Sequence, residues 1–478
     1  MIPRFLALLL IFLSFPVLAK NPVLEDDYMD IFSLSLEELS KVKVTIASFS
    51  EEDELQAGST VSVVTSDQWE SMGAKRLFDV VRFMPGVKSY QTIGGNYGLS
   101  VRGYTTNVSV ARGHAVLVDD IPLNVYAAST AMYGHGFTDL QMMDRVEVIR
   151  GPGSALYGSD AFHSVTSFRS WDSDEDIIET GIRGGQFGYF SAFARGRQEF
   201  SNELKLTGAL AISHNSDSEV EYDYTHVNTG ENVSLDNSEE YESYNANFKL
   251  QYKGTYLGSY YNKTYSDKFV GLGASTSNRG GRQSGFNEVT NTYVKIGHKT
   301  DLWEKYNLDA MAYRVVTKTG FYYDLGTVDP QSVTLEQKVS NYSEGVKVFF
   351  KNDNTEDFYW ITGMGYTRQY IENTSRFITT ESEYPYEGFR RYTKYLLAHT
   401  VTKMWDDKLR VLAGIRLDDY ADIDDLVETP RLGLIFNLQK NRALKFLYGN
   451  AFRAPAATEV AGSATFLGNS DLEPDRYL

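Results

Sequence analysis

The chain of 478 residues carries 63 acidic and 46 basic side chains, a formal net charge of −17, and no cysteine. The missing cysteine excludes a disulfide framework and a thiolate metal site. The acidity argues against nucleic acid as a partner, because no cationic excess is available to displace phosphate counterions. Disorder is excluded by a composition that is 42% hydrophobic and 14% aromatic.

At the start, the basic Met1-Ile2-Pro3-Arg4 precedes an apolar run from Phe5 to Phe15, and Pro16-Val17-Leu18-Ala19 follows. This is the three-part layout of a secretory signal peptide cleaved after Ala19. The apolar run is too short for a helix across hydrocarbon, which needs ~20 residues. No later stretch is long and apolar enough either, so a membrane-resident form of this chain must be a barrel.

Ser35-Leu36-Glu37-Glu38 fits a capping box, and predicts a short helix ending near Lys41. An extended Val42 to Ser48 follows, and the polar Phe49 to Ser59 reads as linker. Val61 to Val64 predicts a strand. Thr65-Ser66-Asp67-Gln68 predicts a helix start, with Gly73 as an interruption and Pro85-Gly86 as the stop. Short strands are expected at Leu99 to Val101, Ala115 to Val118 and Val146 to Ile149. Together these describe a small α/β unit.

The remainder alternates with a period of two. Tyr244, Ala246, Phe248, Leu250 and Tyr252 interleave with Asn245, Asn247, Lys249 and Gln251; Leu409 to Asp418, Arg431 to Leu438 and Leu204 to Ile212 behave alike. One apolar and one charged or amide face suits a transmembrane barrel strand, with lipid outside and a wet lumen inside. A secreted β-sandwich would show the same alternation. Turn lengths favour the barrel: Lys253-Gly254, Asp406-Asp407 and Gln439-Lys440-Asn441 are short, whereas residues 214–240 carry eight carboxylates and no Lys or Arg. Tyrosine is enriched here, with 26 in residues 169–478 against 7 in residues 1–168. About 13 strands are expected.

Arg145-Val146-Glu147-Val148-Ile149-Arg150-Gly151-Pro152-Gly153-Ser154-Ala155-Leu156-Tyr157-Gly158-Ser159-Asp160-Ala161-Phe162 closely resembles the closing motif of the plug domain in TonB-dependent outer-membrane receptors. Phe78 to Val87, Leu99 to Gly103 and Val116 to Leu123 fit the same family in order. Ala451-Phe452-Arg453-Ala454-Pro455 and Asn469 to Pro474 look like its paired barrel motifs. A phosphate loop is the competing reading of the glycines. It would need Gly-Lys-Ser/Thr, and Gly158 is followed by Ser159-Asp160. The glycines therefore read as tight turns and close approaches.

The resemblance implies an N-terminal α/β plug domain inside an antiparallel transmembrane β-barrel of about 22 strands, in the outer membrane of a Gram-negative bacterium. The segments become a signal peptide (1–19), a TonB-box region and linker (20–59), a plug (60–170) and a barrel (171–478). It implies a partner, the TonB energy-transducing protein in the periplasm, which pairs with an added strand. Lys43, Val44, Thr45, Ile46 and Ala47 are the TonB-box candidate; the first strand of the plug is the alternative. Arg102 and Arg150 match plug arginines that, by resemblance, pair with glutamates on the barrel wall. The plug is expected to be held by hydrogen bonds and ion pairs, not by a greasy interface. The plug-closing motif is Arg150, Gly151, Pro152, Gly153, Tyr157 and Gly158. Asn96, Tyr97, Tyr126, Tyr133 and His135 are ligand-contact candidates in apical loops, although tyrosines in such loops are as often packing residues. The implied ligand is a small molecule, most commonly a ferric siderophore, with cobalamin, haem or an oligosaccharide open. Ala456 to Gly468 contains no histidine, which counts against haem, and the seven histidines show no metal-ligand spacing. No cofactor is implied. No nucleophile–base–acid set points to an enzyme.

Two departures matter. The Asp172 to Asp176 stretch predicts an irregular plug-to-barrel junction, and about 13 strands against ~22 would leave an unpaired edge, very costly in lipid. The chain is therefore expected to be a truncated receptor. A non-transporting surface binder and a nonfunctional remnant are the alternatives to an importer.

Overall fold

The computed structural model describes residues 43–91, 97–104, 112–131, 139–186, 188–200, 203–215, 220–225, 232–237, 240–267, 285–303, 305–324, 334–352, 358–377, 382–386, 389–439, 442–463 and 466–477. The signal peptide and the Ser35–Lys41 helix lie outside the described residues. The first unit contains β1 (Lys43–Val44), β2 (Glu52–Asp53), β3 (Val61–Thr65), α1 (Ser66–Ser71), α2 (Leu77–Val81), β4 (Val87–Gln91), β5 (Tyr97–Val101), β6 (His114–Val118), β7 (Ile121–Pro122), β8 (Met143–Arg150), α3 (Ser154–Tyr157) and β9 (Ser164–Ser170). Its central sheet has the order β3-β8-β9-β6-β7, with β6 and β9 parallel and the other neighbours antiparallel.

Local chemistry sets these elements. Gln68 Oε1 accepts the Thr65 amide at 3.0 Å and caps α1, and Gly73 at φ 66 ends that turn. Asp79 accepts the Arg76 amide at 3.0 Å and starts α2, which closes before Gly86 at φ 73. Trp69, Leu77, Phe78, Val80 and Val81 bury the apolar faces of both helices against the sheet.

The second unit is one large antiparallel sheet. In chain order it holds β10 (Ile177–Gly184), β11 (Phe190–Phe200), β12 (Leu204–Asn215), then the separate hairpin β13 (Val220–Thr225) and β14 (Asn232–Asn237). β15 (Glu240–Tyr252), β16 (Thr255–Asp267), β17 (Gly285–Leu302), β18 (Tyr306–Asp324), β19 (Thr334–Asn352) and β20 (Phe358–Phe377) follow. β21 (Ser382–Tyr386), β22 (Arg390–Met404), β23 (Leu409–Tyr420), β24 (Val427–Gln439) and β25 (Arg442–Gly449) complete it. The sheet has 14 strands, thirteen in one path from β10 to β25 and β21 attached to β20. Among the described residues the two end strands, β10 and β25, do not pair with each other.

The sheet is built inside out relative to a soluble sandwich. Asn245, Asn247, Asn262, Thr264, Asn291 and Thr317 are buried on the face that meets the first unit. Val294, Ile296, Val346, Met364, Leu396 and Leu432 are exposed on the other face. A polar face turned inward and an apolar one turned outward is the barrel solution, and strands from β10 and β11 through β15, β17, β19 and β20 to β23, β24 and β25 bond the plug. The interface is more apolar than expected: Ala209, Ala211, Tyr260, Tyr293, Met311, Tyr313 and Val315 of the wall join the plug's own core.

The Lys253-Gly254 turn joins β15 to β16 with φ of 45° and 80°, and Tyr252 pairs with Thr255 across it. A Cβ at Gly254 would stand 2.2 Å from the Lys299 carbonyl oxygen. Gly254→Val is therefore expected to cost about 1–3 kcal/mol of backbone strain besides the clash. The folded fraction, read from heat-modifiable migration in gels, should fall sharply, whereas Lys253→Gly should leave it unchanged.

Candidate functional site

The surface between plug and wall carries most of the polar contacts that hold the plug. A cavity of about 990 Å³ opens along it. On the plug side it is bordered by Thr45, Asp119, Asp120, Tyr157 and Asp160, and on the wall side by Lys295, Lys347, Arg391 and Arg416.

Its centre is the tight turn between β6 and β7. Asp119 and Asp120 both take positive φ, 47° and 69°, so the two carboxylates project from a strained corner. Asp119 accepts the Ser170 amide at 2.9 Å, the Ser170 hydroxyl at 2.6 Å and the Tyr293 hydroxyl at 2.9 Å. Lys295 donates to the Asp119 carbonyl at 2.7 Å, and Lys347 donates to the Asp120 carbonyl at 3.2 Å. Arg169 bonds Asp120 at 2.7 Å. Burial works to raise both carboxyls. Lys249, Lys295 and the Ser170 bonds overcome it at Asp119, which lies far below the usual carboxylate range. Arg169 does the same at Asp120, held at about 2. Asp160 goes the other way: burial pushes it up to about 6, and Arg391 and Arg453 offset this only in part.

A second group of contacts holds residues 43–59. β1 pairs with β2, and the chain then turns, with the Phe49 amide donating to the Thr45 carbonyl at 2.9 Å. Glu147, fully buried, accepts the amides of Thr45 and Ile46 at 3.0 Å each. The Tyr157 hydroxyl donates to the Ile46 carbonyl at 2.8 Å, and Val44, Ile46 and Ala47 are fully buried in the plug. The extended conformation expected through Ser48 therefore stops at Val44, because Glu147 captures the next two amides. Residues 49–59, read from sequence as linker, are packed against the wall. Glu52 is buried against Arg410. Arg431 donates to the Ala47 and Gly58 carbonyls at 3.1 and 2.9 Å. Lys445 donates to those of Glu54 and Ala57 at 3.0 and 2.9 Å. Burial raises the Glu52 carboxyl, with Arg410 opposing.

Among the described residues, Arg102 and Arg150 do not reach wall glutamates. Arg102 donates to Thr60 Oγ1 at 3.2 Å, and Arg150 to the Pro85 and Val61 carbonyls at 2.7 and 3.1 Å. Both stand where the plug chain reverses, Arg102 at φ 54 and Arg150 just before Gly151, and they hold neighbouring plug loops together. Along much of the interface the wall supplies cations and the plug supplies carboxylates and carbonyls, as in Arg183 to Glu70 at 3.1 Å, whereas plug Arg112 ion-pairs with Glu459 of the barrel segment in the expected sense.

The closing motif works through its glycines. Gly151, at φ 126, donates its amide to the His163 carbonyl at 2.9 Å. Gly158, at φ 83, leaves room for Arg416, which would stand 3.1 Å from an added Cβ and donates to the Leu156 carbonyl at 3.1 Å. Gly153 faces Val165 closely, and Pro152 lies between the two turns. Among the ligand-contact candidates, Asn96, Tyr133 and His135 lie outside the described residues, and Tyr97 pairs with Gln91 at the start of β5. Tyr126 is 7% exposed, packed on Val339, Ile371 and Ala457 beneath the Arg391 guanidinium, 4.5 Å from its ring centre. It packs there and also borders the cavity between plug and wall. Among the described residues no group of three His, Asp or Glu side chains could hold a metal ion. The wall cations were the residues sequence reasoning passed over. Their signal was present, since Lys249, Arg410, Arg416 and Arg431 occupy the polar positions of alternating strands.

Residues 53–165 match the TonB-dependent receptor plug domain, and residues 222–476 match the TonB dependent receptor-like β-barrel. The second match alone covers more than half of the chain. The chain belongs to the TonB-dependent receptor family. It is a receptor-type plug and barrel of the Gram-negative outer membrane, not an enzyme. A vitamin B12 transporter, BtuB of Vibrio vulnificus, is 23% identical over 436 residues, 88% of this chain and 63% of the relative. A hemin receptor of Yersinia enterocolitica is 28% identical over 38% of this chain and 25% of its own length. The chain thus spans less than two thirds of these curated relatives. Among solved structures, the pyoverdine receptor FpvA of Pseudomonas aeruginosa superposes with a TM-score of 0.67 at 14% identity, covering 91% of this chain and 67% of that one. The ferric preacinetobactin receptor BauA of Acinetobacter baumannii gives 0.65 at 14% identity, covering 91% and 69%. These likenesses show the shared fold.

Removing Arg410 leaves Glu52 buried beside fewer cations. Arg410→Met is expected to destabilise the docked 43–59 segment by about 3–5 kcal/mol, seen as faster proteolysis after residue 50 in folded protein. The double variant with Glu52→Gln should recover most of the protection. The pH dependence follows from Asp120. Its carboxyl is lowered from 3.8 to about 2, so its stabilisation is complete above pH ~4 and disappears as pH falls through ~2. Tryptophan fluorescence of the folded protein should hold steady to pH 4, then change. Asp120→Asn should remove that part of the transition.

Proposed function

We propose that this protein binds a ferric chelate, a siderophore or similar compound, at the outer surface and imports it using energy delivered by TonB. One observation carries the proposal: the plug is gripped by lysine and arginine contacts to carbonyls and carboxylates beside a cavity of about 990 Å³. Such contacts, made by charged donors, exchange for water with a net free-energy change of ~1.5–3 kcal/mol per hydrogen bond. A plug held this way is stable at rest and displaceable under pull. Residues 43–47 remain the proposed TonB-pairing segment. In this reading the docked form is the resting one, and pairing with the partner requires Glu147 to release the amides of Thr45 and Ile46. The segment division stands with it: signal peptide 1–19, TonB-box region 20–59, plug 60–170, barrel 171–478. The ferric assignment draws support from similar solved structures of a ferric preacinetobactin receptor and a pyoverdine receptor. Cobalamin is the second reading, favoured because the B12 transporter of Vibrio vulnificus aligns over 88% of this chain.

Growth under iron limitation on a panel of ferric siderophores, with and without TonB, tests the main reading. Val44→Pro should abolish ligand-dependent growth while leaving surface binding of the labelled chelate intact. Unchanged growth of a receptor deletant across the panel would overturn the iron assignment. Loss of cobalamin-dependent growth instead would establish the second reading, and uptake insensitive to Val44→Pro would mark a non-transporting binder.

A further inference from the structure

We infer that the outward face of β18, β19, β20 and β22 carries a binding site for the phosphorylated headgroup of an outer-leaflet lipid, centred on Arg314 and Arg368. The inference rests on the outer-membrane placement and is independent of the imported ligand.

The lower part of this face is apolar, with Val346, Met364 and Leu396 exposed. Higher up the composition changes abruptly. Cross-strand register sets Arg314 opposite Glu344, Glu344 opposite Arg368, and Arg368 opposite Tyr392, all on one outward row. Outward charges cost ~2–4 kcal/mol at the bilayer midplane and ~0–1 near its surfaces, so this row belongs at headgroup level. The strand length agrees. From Trp360 to Arg368 along β20 the rise is roughly 26 Å, or about 20 Å along the normal at a tilt of ~40°, close to the ~25 Å apolar band of such barrels. Trp360 and Arg368 then mark opposite interfaces.

The row is pre-organised. Tyr342 and Tyr370 stack with ring centres 4.5 Å apart and planes 7° from parallel. The Arg368 guanidinium lies 5.0 Å from the Tyr370 ring centre, and that of Arg314 lies 5.8 Å from Tyr342. The Tyr342 hydroxyl donates to Glu372 at 3.1 Å, which fixes the stack. Two guanidinium groups therefore bracket a rigid aromatic pair, and cation–π contact holds them without neutralising them. Glu344 reaches Arg314 at 3.2 Å, while the shielded Arg368 Nε has no hydrogen-bond partner.

Charge decides the occupant. Among the described outward side chains near this row, Arg314, Lys318, Arg368, Arg390 and Lys394 stand against Glu344, Glu372 and Asp419, the last 3.6 Å from Lys394. A local cationic excess in a chain of net charge −17 is matched to an anion, and planar guanidinium forks suit phosphate oxygens. An exposed apolar wall directly below supplies a surface for acyl chains. A phosphate attached to a lipid meets both halves of the face.

Native mass spectrometry of the full chain, folded in detergent, tests this. The probes are a diphosphorylated glucosamine-disaccharide lipid, the same lipid dephosphorylated, and inorganic phosphate. The diphosphorylated lipid should bind roughly tenfold or more tightly than the dephosphorylated one, the scale of a charge-assisted hydrogen bond. Arg314→Gln with Arg368→Gln should remove that difference. Glu344→Gln should tighten binding, a gain that misfolding would not produce, so it decides the matter should the double variant fail to fold. Equal binding of both lipids, no loss in the double variant, or no gain with Glu344→Gln would overturn the proposal. Inorganic phosphate binding as tightly as the lipid would also overturn it, in favour of a free-anion site.

Discussion

Everything in this molecule depends on satisfying a polar interior that water alone does not fill. The inward face of the sheet carries lysines and arginines among asparagines and threonines, and a buried cation without a partner is very costly. The plug answers many of them with a backbone carbonyl or a carboxylate, while Arg391 and Arg197 find Asp422, Asp176 and Glu199 on the wall side. Lys295 and Lys347 meet the Asp119–Asp120 corner, Arg416 meets the Leu156 carbonyl beside Gly158, and Arg410, Arg431 and Lys445 meet residues 47–58. Plug backbone geometry is subordinate to this matching. The positive φ at Asp119, Asp120 and Gly158 places acceptors where wall cations need them.

The alternation that defined the strands was legible because its physical cause is local: each residue faces either lipid or lumen. Asn245, Asn247 and Arg416 could be assigned inward, and Phe248, Ile415 and Leu432 outward, without any tertiary knowledge. The plug strands and the split helix were equally readable from caps and from Gly73 and Pro85. What sequence did not reveal was partnership. Arg102 and Arg150 carry the family pattern, yet which acceptor lies nearest depends on how loops fold back on Thr60, Val61 and Pro85. Glu52 looked like one more solvated acid in a polar stretch, and its burial depends on Arg410, more than 350 residues away in the chain. Long-range pairing of charges leaves no local periodicity to read.

The apolar share of the interface qualifies the picture of a plug floating on ion pairs. Tyr260, Tyr293 and Tyr313 present both a ring and a hydroxyl, so they pack against the plug core and still meet polar neighbours such as Asp119. The tyrosine enrichment of the second unit therefore has two physical sources: amphipathic filling inside and interfacial rings outside, such as Tyr342 and Tyr370.

The two groups of wall contacts are also segregated around the sheet. Residues 43–59 are held mainly from β20, β23, β24 and β25, through Tyr359, Arg410, Arg431 and Lys445. The Asp119–Asp120 corner is held from β17 and β19. Tension applied at Lys43 therefore meets the bonds of Thr45 and Ile46 to Glu147 first, then the wall contacts one after another, and it is passed to the Asp119–Asp120 corner through Arg169, which bonds both Thr45 and Asp120. A bond series that peels yields at far lower force than one that shears together. The mechanical strength of this plug is consequently directional, weak along its leading segment and strong across its body.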